Sequence, residues 1–321
     1  VQKRIRKSNN WERMIKILSY AAAVLVPVFF VGISLKYTTH DYFSNNSVLI
    51  AQPILPGAAK AILTLDNGET INLNKETADA LQTIEGTNIQ IDSTTLNYQL
   101  AQSTSVSPKP VYNKVEIPRG GEYALVLSDG TKVHLNSMSS LRFPVAFTTG
   151  KREVELQGEA YFEVSKTGQP FIVNANGIQV EVLGTTFNIS AYPDEEYQTT
   201  LVNGSVKVSA EKGESLILKP SQQATIALGS NSIQVRTVDT SFYTSWVKGK
   251  INFKDQRLED IMKTLSRWYD MNVVYENEKL KNIRFGCNLN RYEEITPFVK
   301  LLEKTEEVHV KIEGNTITFH N

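Results

Sequence analysis

The sequence predicts a single transmembrane helix followed by an all-β sandwich or coiled-sheet domain and a small α+β domain of order βαββαββ. Three observations carry this. Residues 17–35 contain no charged side chain, residues 48–240 are a nearly unbroken succession of short β patterns, and after Trp246 the apolar period becomes that of helices alternating with strands.

The uncharged run, ILSYAAAVLVPVFFVGISL, has 19 positions. As a helix it spans about 28 Å at ~1.5 Å per residue, close to the ~30 Å hydrocarbon core of a bilayer. Pro27 is tolerated in a membrane span because neighbouring groups re-satisfy the freed backbone. Residues 1–16 carry Lys3, Arg4, Arg6, Lys7, Arg13 and Lys16 against the one acid Glu12. The positive-inside rule therefore sets 1–16 in the cytoplasm, the helix at 17–36, and everything beyond it outside the cytoplasm. A cleaved signal peptide needs a shorter apolar core and a small-residue site at its end, whereas Ala21-Ala22-Ala23 lies early in this run.

From residue 48 to 240, strands are punctuated by glycines. Leu125 to Leu135 reads as a hairpin in which Asp129-Gly130 supplies the positive φ angles of a two-residue turn. Further strands fall at 154–156, 160–164, 171–173, 179–183, 187–191, 199–202, 206–209, 216–219, 224–228 and 233–238, with Gly158, Gly177, Gly204 and Gly213 between runs. Pro56 to Asn74 repeats the frame of Pro118 to Asn136: proline, apolar strand, Asx-Gly turn, second strand, terminal Asn. That is either a duplicated β-unit, with the repeat extending over 56–98, or two hairpins sharing turn chemistry. Residues 99–112, rich in Ser, Gln and Pro, read as a linker.

Residues 246–321 form the second domain. A strand at 250–253 leads to a helix that Asp255 is placed to cap, with Leu258, Ile261, Met262, Leu265 and Trp268 on one face. Strands follow at 273–275 and 283–289. Thr296-Pro297 reads as a cap and first helical residue, with Phe298, Leu301 and Leu302 facing inward. A hairpin around Gly314-Asn315 pairs Glu313 with Thr316, Ile312 with Ile317, Val310 with Phe319 and His309 with His320.

Composition narrows the function. The 34 basic and 34 acidic residues cancel, which excludes a protein that coats nucleic acid. The balance is uneven, however, at net +5 over 1–16 and net −5 over the rest. Cys287 alone excludes a disulfide framework and a multi-cysteine zinc site. No cofactor motif is present, and Arg119-Gly120-Gly121 precedes a strand rather than a phosphate-binding helix. His309 and His320 lack a third ligand and read as a solvated polar face. Strand alternation assigns Glu153, Glu155, Glu159 and Glu163 to an outward, solvated surface rather than to a glycosidase pair. Gly184-Thr185 is the one bond with a chemical reading. The Thr hydroxyl can attack the carbonyl of Gly184, giving an ester that water then hydrolyses. A glycine at a strand corner followed by a strand-initiating Thr explains the same two residues structurally.

The run from Lys114 to Val238 resembles the FecR family of transmembrane anti-sigma factors, the iron-dicitrate sensor regulators. The resemblance rests on Ile117-Pro118-Arg119-Gly120-Gly121, Leu127 to Thr131, Val133 to Asn136, Leu156-Gln157-Gly158-Glu159-Ala160-Tyr161-Phe162-Glu163-Val164, Pro170 to Val173, Val182 to Ile189 and Leu201 to Val206. Trp246 to Lys250 and Leu265 to Tyr269 resemble the C-terminal domain of Bacteroidetes members. The resemblance implies an inner-membrane regulator whose cytoplasmic domain binds an extracytoplasmic-function sigma factor. Its periplasmic part would sense the signalling domain of a TonB-dependent outer-membrane transporter. Stepwise proteolysis, ending with an intramembrane protease, would free the sigma factor. It also implies self-cleavage at the bond matching Gly184-Thr185 in some members. The family's sigma-binding domain precedes the span, and residues 1–16 are too few to supply it, so either a truncated N-terminal region or a lost function is expected. The competing class is a membrane-anchored carbohydrate- or ligand-binding sandwich, with Tyr192, Tyr197 and Tyr243 lining a groove. A membrane-tethered hydrolase has no motif in its support.

Overall fold

The computed structural model describes residues 53–74, 80–84, 87–98, 110–148, 150–211 and 213–321. The expected span at 17–36, the basic segment before it and most of the expected linker 99–112 lie outside the described residues. Among the described residues no helix is long and apolar enough to cross a membrane.

The β patterns become β1 (Ala58–Ala59), β2 (Ala61–Thr64), β3 (Thr70–Leu73), β4 (Ala80–Ile84), β5 (Thr87–Ile91), β6 (Thr95–Asn97), β7 (Tyr112–Glu116), β8 (Gly121–Val126), β9 (Lys132–Leu135) and β10 (Ser140–Pro144). They continue as β11 (Arg152–Glu163), β12 (Phe171–Ala175), β13 (Ile178–Val182), β14 (Thr186–Ala191), β15 (Tyr197–Asn203), β16 (Val206–Ser209), β17 (Ser215–Leu218), β18 (Gln222–Ile226) and β19 (Gln234–Thr237). One sheet runs in the order β3-β2-β7-β10-β11-β12-β13-β16-β17. The other runs β4-β5-β6-β8-β9-β11-β14-β15-β18-β19. Alternation buries one side of each, and a single apolar cluster draws Val115, Leu141 and Phe171 from the first sheet and Leu125, Phe162 and Phe187 from the second.

β11 belongs to both sheets. Its first half pairs with β10 and β12, its second half with β9 and β14, and the bend falls at Gly158. There φ is +82°, and a Cβ would lie 2.5 Å from Ser139 Oγ and 2.8 Å from the Met138 carbonyl oxygen, so only glycine fits. The sequence expectation of two strands flanking Gly158 becomes one strand bent there.

The β2–β3 and β8–β9 hairpins have equivalent registers, Ala61↔Leu73 and Thr64↔Thr70 against Tyr123↔Leu135 and Val126↔Lys132. Their turns also match: Gly68 N–H donates to Leu65 O and Gly130 N–H to Leu127 O, each at 2.9 Å. The second turn differs from expectation. Only Gly130 has positive φ, and Leu127 N–H bonds Thr131 O at 2.8 Å, enclosing a three-residue loop. Asp129 is held otherwise, accepting from Thr131 N–H at 2.9 Å, Thr131 Oγ1 at 2.7 Å and the buried Arg152 at 2.6 Å.

After the sandwich come β20 (Lys250–Arg257), α1 (Leu258–Trp268), β21 (Asn272–Tyr275), β22 (Arg284–Asn290), α2 (Thr296–Glu303), β23 (His309–Glu313) and β24 (Thr316–His320). β20 pairs with β22, and β21-β24-β23 form a second small sheet. The terminal hairpin has the register read from sequence. The expected face of α1 is the buried one. Asp255, however, caps nothing. It lies in a bulge of β20 at φ +49°, and α1 starts at Leu258 after Arg257, with no side-chain cap. Five buried side chains, at about 1.5–3 kcal/mol each, outweigh the ~1 kcal/mol of a missing cap. Thr296 is likewise inside α2 and makes no cap bond. Val299 takes the inward place expected for Leu301, which is exposed, because the seam runs through Ile295, Phe298, Val299 and Leu302.

Candidate functional site: the junction of sandwich and C-terminal module

The outward face of the second sheet, around the bend of β11, is partly covered by the C-terminal module, and Glu159 on it is half-buried. Glu159 there accepts from Asn136 Nδ2 at 2.7 Å and from Asn188 Nδ2 at 3.0 Å. Burial raises its carboxyl above the usual carboxylate range, against the two amide donors and the charges of Arg267 and Arg291. Glu153, Glu155 and Glu163 are exposed as expected. Glu159 departs from expectation because the module covers its side of the sheet.

Module groups complete the network. Trp246 Nε1 donates to Asn188 Oδ1 at 3.2 Å, and Arg291 Nη2 donates to Asn136 Oδ1 at 3.0 Å. Arg291 is 1% exposed. It donates to Trp246 O at 3.1 Å, lies 3.4 Å from the Glu122 carboxylate, and stacks 3.6 Å above the Trp268 ring. Arg267 pairs with Glu195 and stacks 3.9 Å above Tyr192. Burial lowers the Arg267 pKa, but Tyr192, Glu195 and Glu159 more than offset that and leave it raised.

A second set of bonds lies at the Arg119-Gly120-Gly121 turn. Arg119 Nη2 donates to Ser266 O at 3.1 Å and Met271 O at 2.6 Å, beside Asp270 at 3.3 Å. Gly120 N–H donates to Arg267 O at 2.7 Å. Tyr292 Oη donates to Glu122 at 2.9 Å. The turn thus receives the C-terminal end of α1, a role its glycines do not advertise in sequence.

Between sandwich and module lies a cleft of about 590 Å³ whose wall includes Glu159, Trp246, Arg267 and Arg291. Its charges largely answer one another, as in Arg267–Glu195, Arg257–Glu259 at 2.7 Å and Arg284–Asp255 at 3.6 Å. Of the tyrosines expected to line a groove, Tyr243 borders this cleft, while Tyr192 and Tyr197 are buried. Tyr192 bonds Ser137 O at 2.8 Å and Tyr197 bonds Thr199 Oγ1 at 2.7 Å. The aromatic platform of the carbohydrate reading is therefore not assembled.

Gly184 and Thr185 lie away from this junction, between β13 and β14, beside a cavity of about 350 Å³ that Lys132, Glu163 and Lys166 also line. A Cβ on Gly184 would lie 2.2 Å from Lys166 Cγ, so close chain approach favours glycine. Thr185 is buried, and its Oγ1 donates to Ser205 O at 3.0 Å. The His309 and His320 rings sit 5.6 Å apart, and among the described residues no group of three His, Cys, Asp or Glu is placed to hold a metal.

A bent sandwich with a βαββαββ module tied to one sheet by the buried Arg291 and the partly buried Arg267 defines a two-module β-rich molecule that holds one body against another. Comparison with known proteins is more specific. The model of the FecR protein family matches residues 113–207, and that of the FecR C-terminal domain matches 250–319. The chain belongs to the FecR family. It is similar to two crystal structures, at 1.65 and 2.50 Å resolution, of a candidate anti-sigma factor from Parabacteroides distasonis ATCC 8503. Identity is 26% and 25%, with TM-score 0.60 for both, over 65% of this chain and 98% and 99% of theirs. No curated protein matches the chain. These relationships support a regulatory, non-enzymatic role.

Proposed function

We propose that the chain is a single-pass anti-sigma regulator of the bacterial inner membrane, with domains at 48–240 and 246–321 in the periplasm. Its periplasmic part receives the signalling domain of a TonB-dependent transporter, and its cytoplasmic side restrains an extracytoplasmic-function sigma factor until proteolysis, ending with an intramembrane protease, releases it. The observation that carries this is the tandem match to both FecR family models together with the likeness to the Parabacteroides protein. The uncharged run at 17–35 behind a basic flank supports the topology. The small sheet leaves the outer edges of β21 and β23 without a strand partner among the described residues, which suits docking by strand addition. In the same reading, Gly184–Thr185 is the self-cleavage bond.

The test is a pull-down with residues 48–321, because the module's core takes in Ile54 and an excised module would lose it. Retention of a transporter signalling domain supports the proposal. No binding at micromolar concentrations refutes the docking step.

A further inference from the structure

Ile54 lies far upstream of the module in sequence yet belongs to the module's apolar core, not to the sandwich's. The residues after it run between the two bodies. A Cβ on Gly57 would lie 2.7 Å from Trp268 Cε3 on one side and 2.8 Å from the Gly120 carbonyl oxygen on the other. Ala58 N–H then donates to Gly120 O at 3.0 Å and Lys60 N–H to Glu122 O at 3.2 Å, with Ala58 and Ala59 paired in parallel to the start of β8.

The two sandwich residues that accept these bonds are themselves held by the module. Gly120 gives its carbonyl to the strap and its N–H to Arg267 O at 2.7 Å. Glu122 gives its carbonyl to the strap, while its carboxylate takes the Tyr292 hydroxyl at 2.9 Å and faces Arg291 at 3.4 Å. The strap, the β8 turn and the module are therefore one three-way joint. Among the described residues the strap is tied to the sandwich by a two-residue parallel ladder with the Ala58 and Lys60 main-chain bonds, and by Ala59, which packs against the edge of the sandwich core.

We propose that residues 53–60 are a strap latched by the C-terminal module, so that loosening the module from the sandwich releases the strap. This deepens the docking reading, on which its biological meaning rests. A partner that lifts the module would thereby act on the chain leading back to residue 17–36. The strap is also a conditional proteolytic site, with Lys60 at its end.

Hydrogen exchange on the full chain tests this without any partner. Asn188→Ala removes the acceptor of Trp246 together with one donor to Glu159, and neither bond involves a strap residue. It is expected to speed exchange of the Ala58 and Lys60 amides by at least about tenfold. Tryptic cleavage after Lys60 should rise in parallel, while amides of β12 and β13 stay protected. Gly57→Ala, which presses on Trp268 and Gly120 from the strap side, should in turn speed exchange of the Gly120 N–H. Wild-type rates at Ala58 and Lys60 in Asn188→Ala, or at Gly120 in Gly57→Ala, overturn the proposal. That outcome leaves the docking pull-down unaffected, and a failed pull-down leaves this exchange result standing.

Discussion

Replacing Arg291 by Ala removes a buried cation from the centre of the junction. Two charge-assisted hydrogen bonds disappear, to Trp246 O at 3.1 Å and Asn136 Oδ1 at 3.0 Å, each worth about 1.5–3 kcal/mol. The stack on Trp268 is lost as well. The acceptors left behind are only partly orphaned. Trp246 O still receives Gly249 N–H at 3.0 Å, Asn136 Oδ1 still receives Ser137 N–H at 2.9 Å, and Glu122 keeps Tyr292 and is 23% exposed. The desolvation that holds the Arg291 pKa down is also relieved. The net loss therefore falls near the lower end of the ~3–5 kcal/mol typical of breaking a buried pair, about 3 kcal/mol. Trp246 and Trp268 flank the site and make urea unfolding by fluorescence the direct assay. The module transition should move down by about 3 kcal/mol while the sandwich transition, followed by circular dichroism, holds. Arg291→Lys keeps the charge without the planar fork and should lose about half as much. A loss under about 1 kcal/mol for Arg291→Ala would refute the assignment of Arg291 as the main tie.

Glu159 gives an acid response of unusual sign. Its folded pKa lies above the ordinary 4.5, so ionisation costs nothing below that value. Stability is lost as pH rises from there through the raised folded pKa, and is level beyond it. Because His134, whose pKa burial lowers, adds stability as pH rises toward 6.5 in both proteins, the readout is the difference. Thermal unfolding should show a loss in wild type relative to Glu159→Gln across this window, and equal slopes would contradict the desolvated-carboxylate account. Self-cleavage at Gly184–Thr185 requires the hydroxyl oxygen to bond the Gly184 carbonyl carbon, the C–N bond to break, and the freed Thr185 amine to take the hydroxyl proton before water cuts the ester. Purified wild type should then yield two bands split after residue 184 that are absent in Thr185→Ala. A single intact band removes the proposal.

Alternation and helical spacing disclose which side of an element is apolar, and this made much of the chain legible. The inward face of α1 and the register of the last hairpin follow from residue order alone. What such patterns miss is the object covering a face. Glu159 is on the outward side of β11, as alternation requires, but Trp246, Arg267 and Arg291 come from far along the chain to enclose it. Local competition hid the rest. Asp129 is held by Thr131 and Arg152 instead of adopting positive φ. Asp255 is taken up in a bulge that lets β20 continue pairing to Arg257. In both cases a short polar side chain had several local uses, and long-range pairing selected among them.

The chemistry of the junction bears on how a signal can pass through it. An apolar interface of the same size would hold the module but tolerate sliding, because hydrophobic contact has no direction. Here Asn136 and Asn188 each donate to Glu159 and accept from the module, so their amide orientations are set on both sides. Displacing the module by one hydrogen-bond length breaks these contacts together and leaves Glu159 and Arg291 facing water or one another. Such a joint is closed or open, with little between. Through Gly120 and Glu122 the same joint fixes residues 58–60. A load on the module should therefore reach the strap as a release rather than as a graded strain.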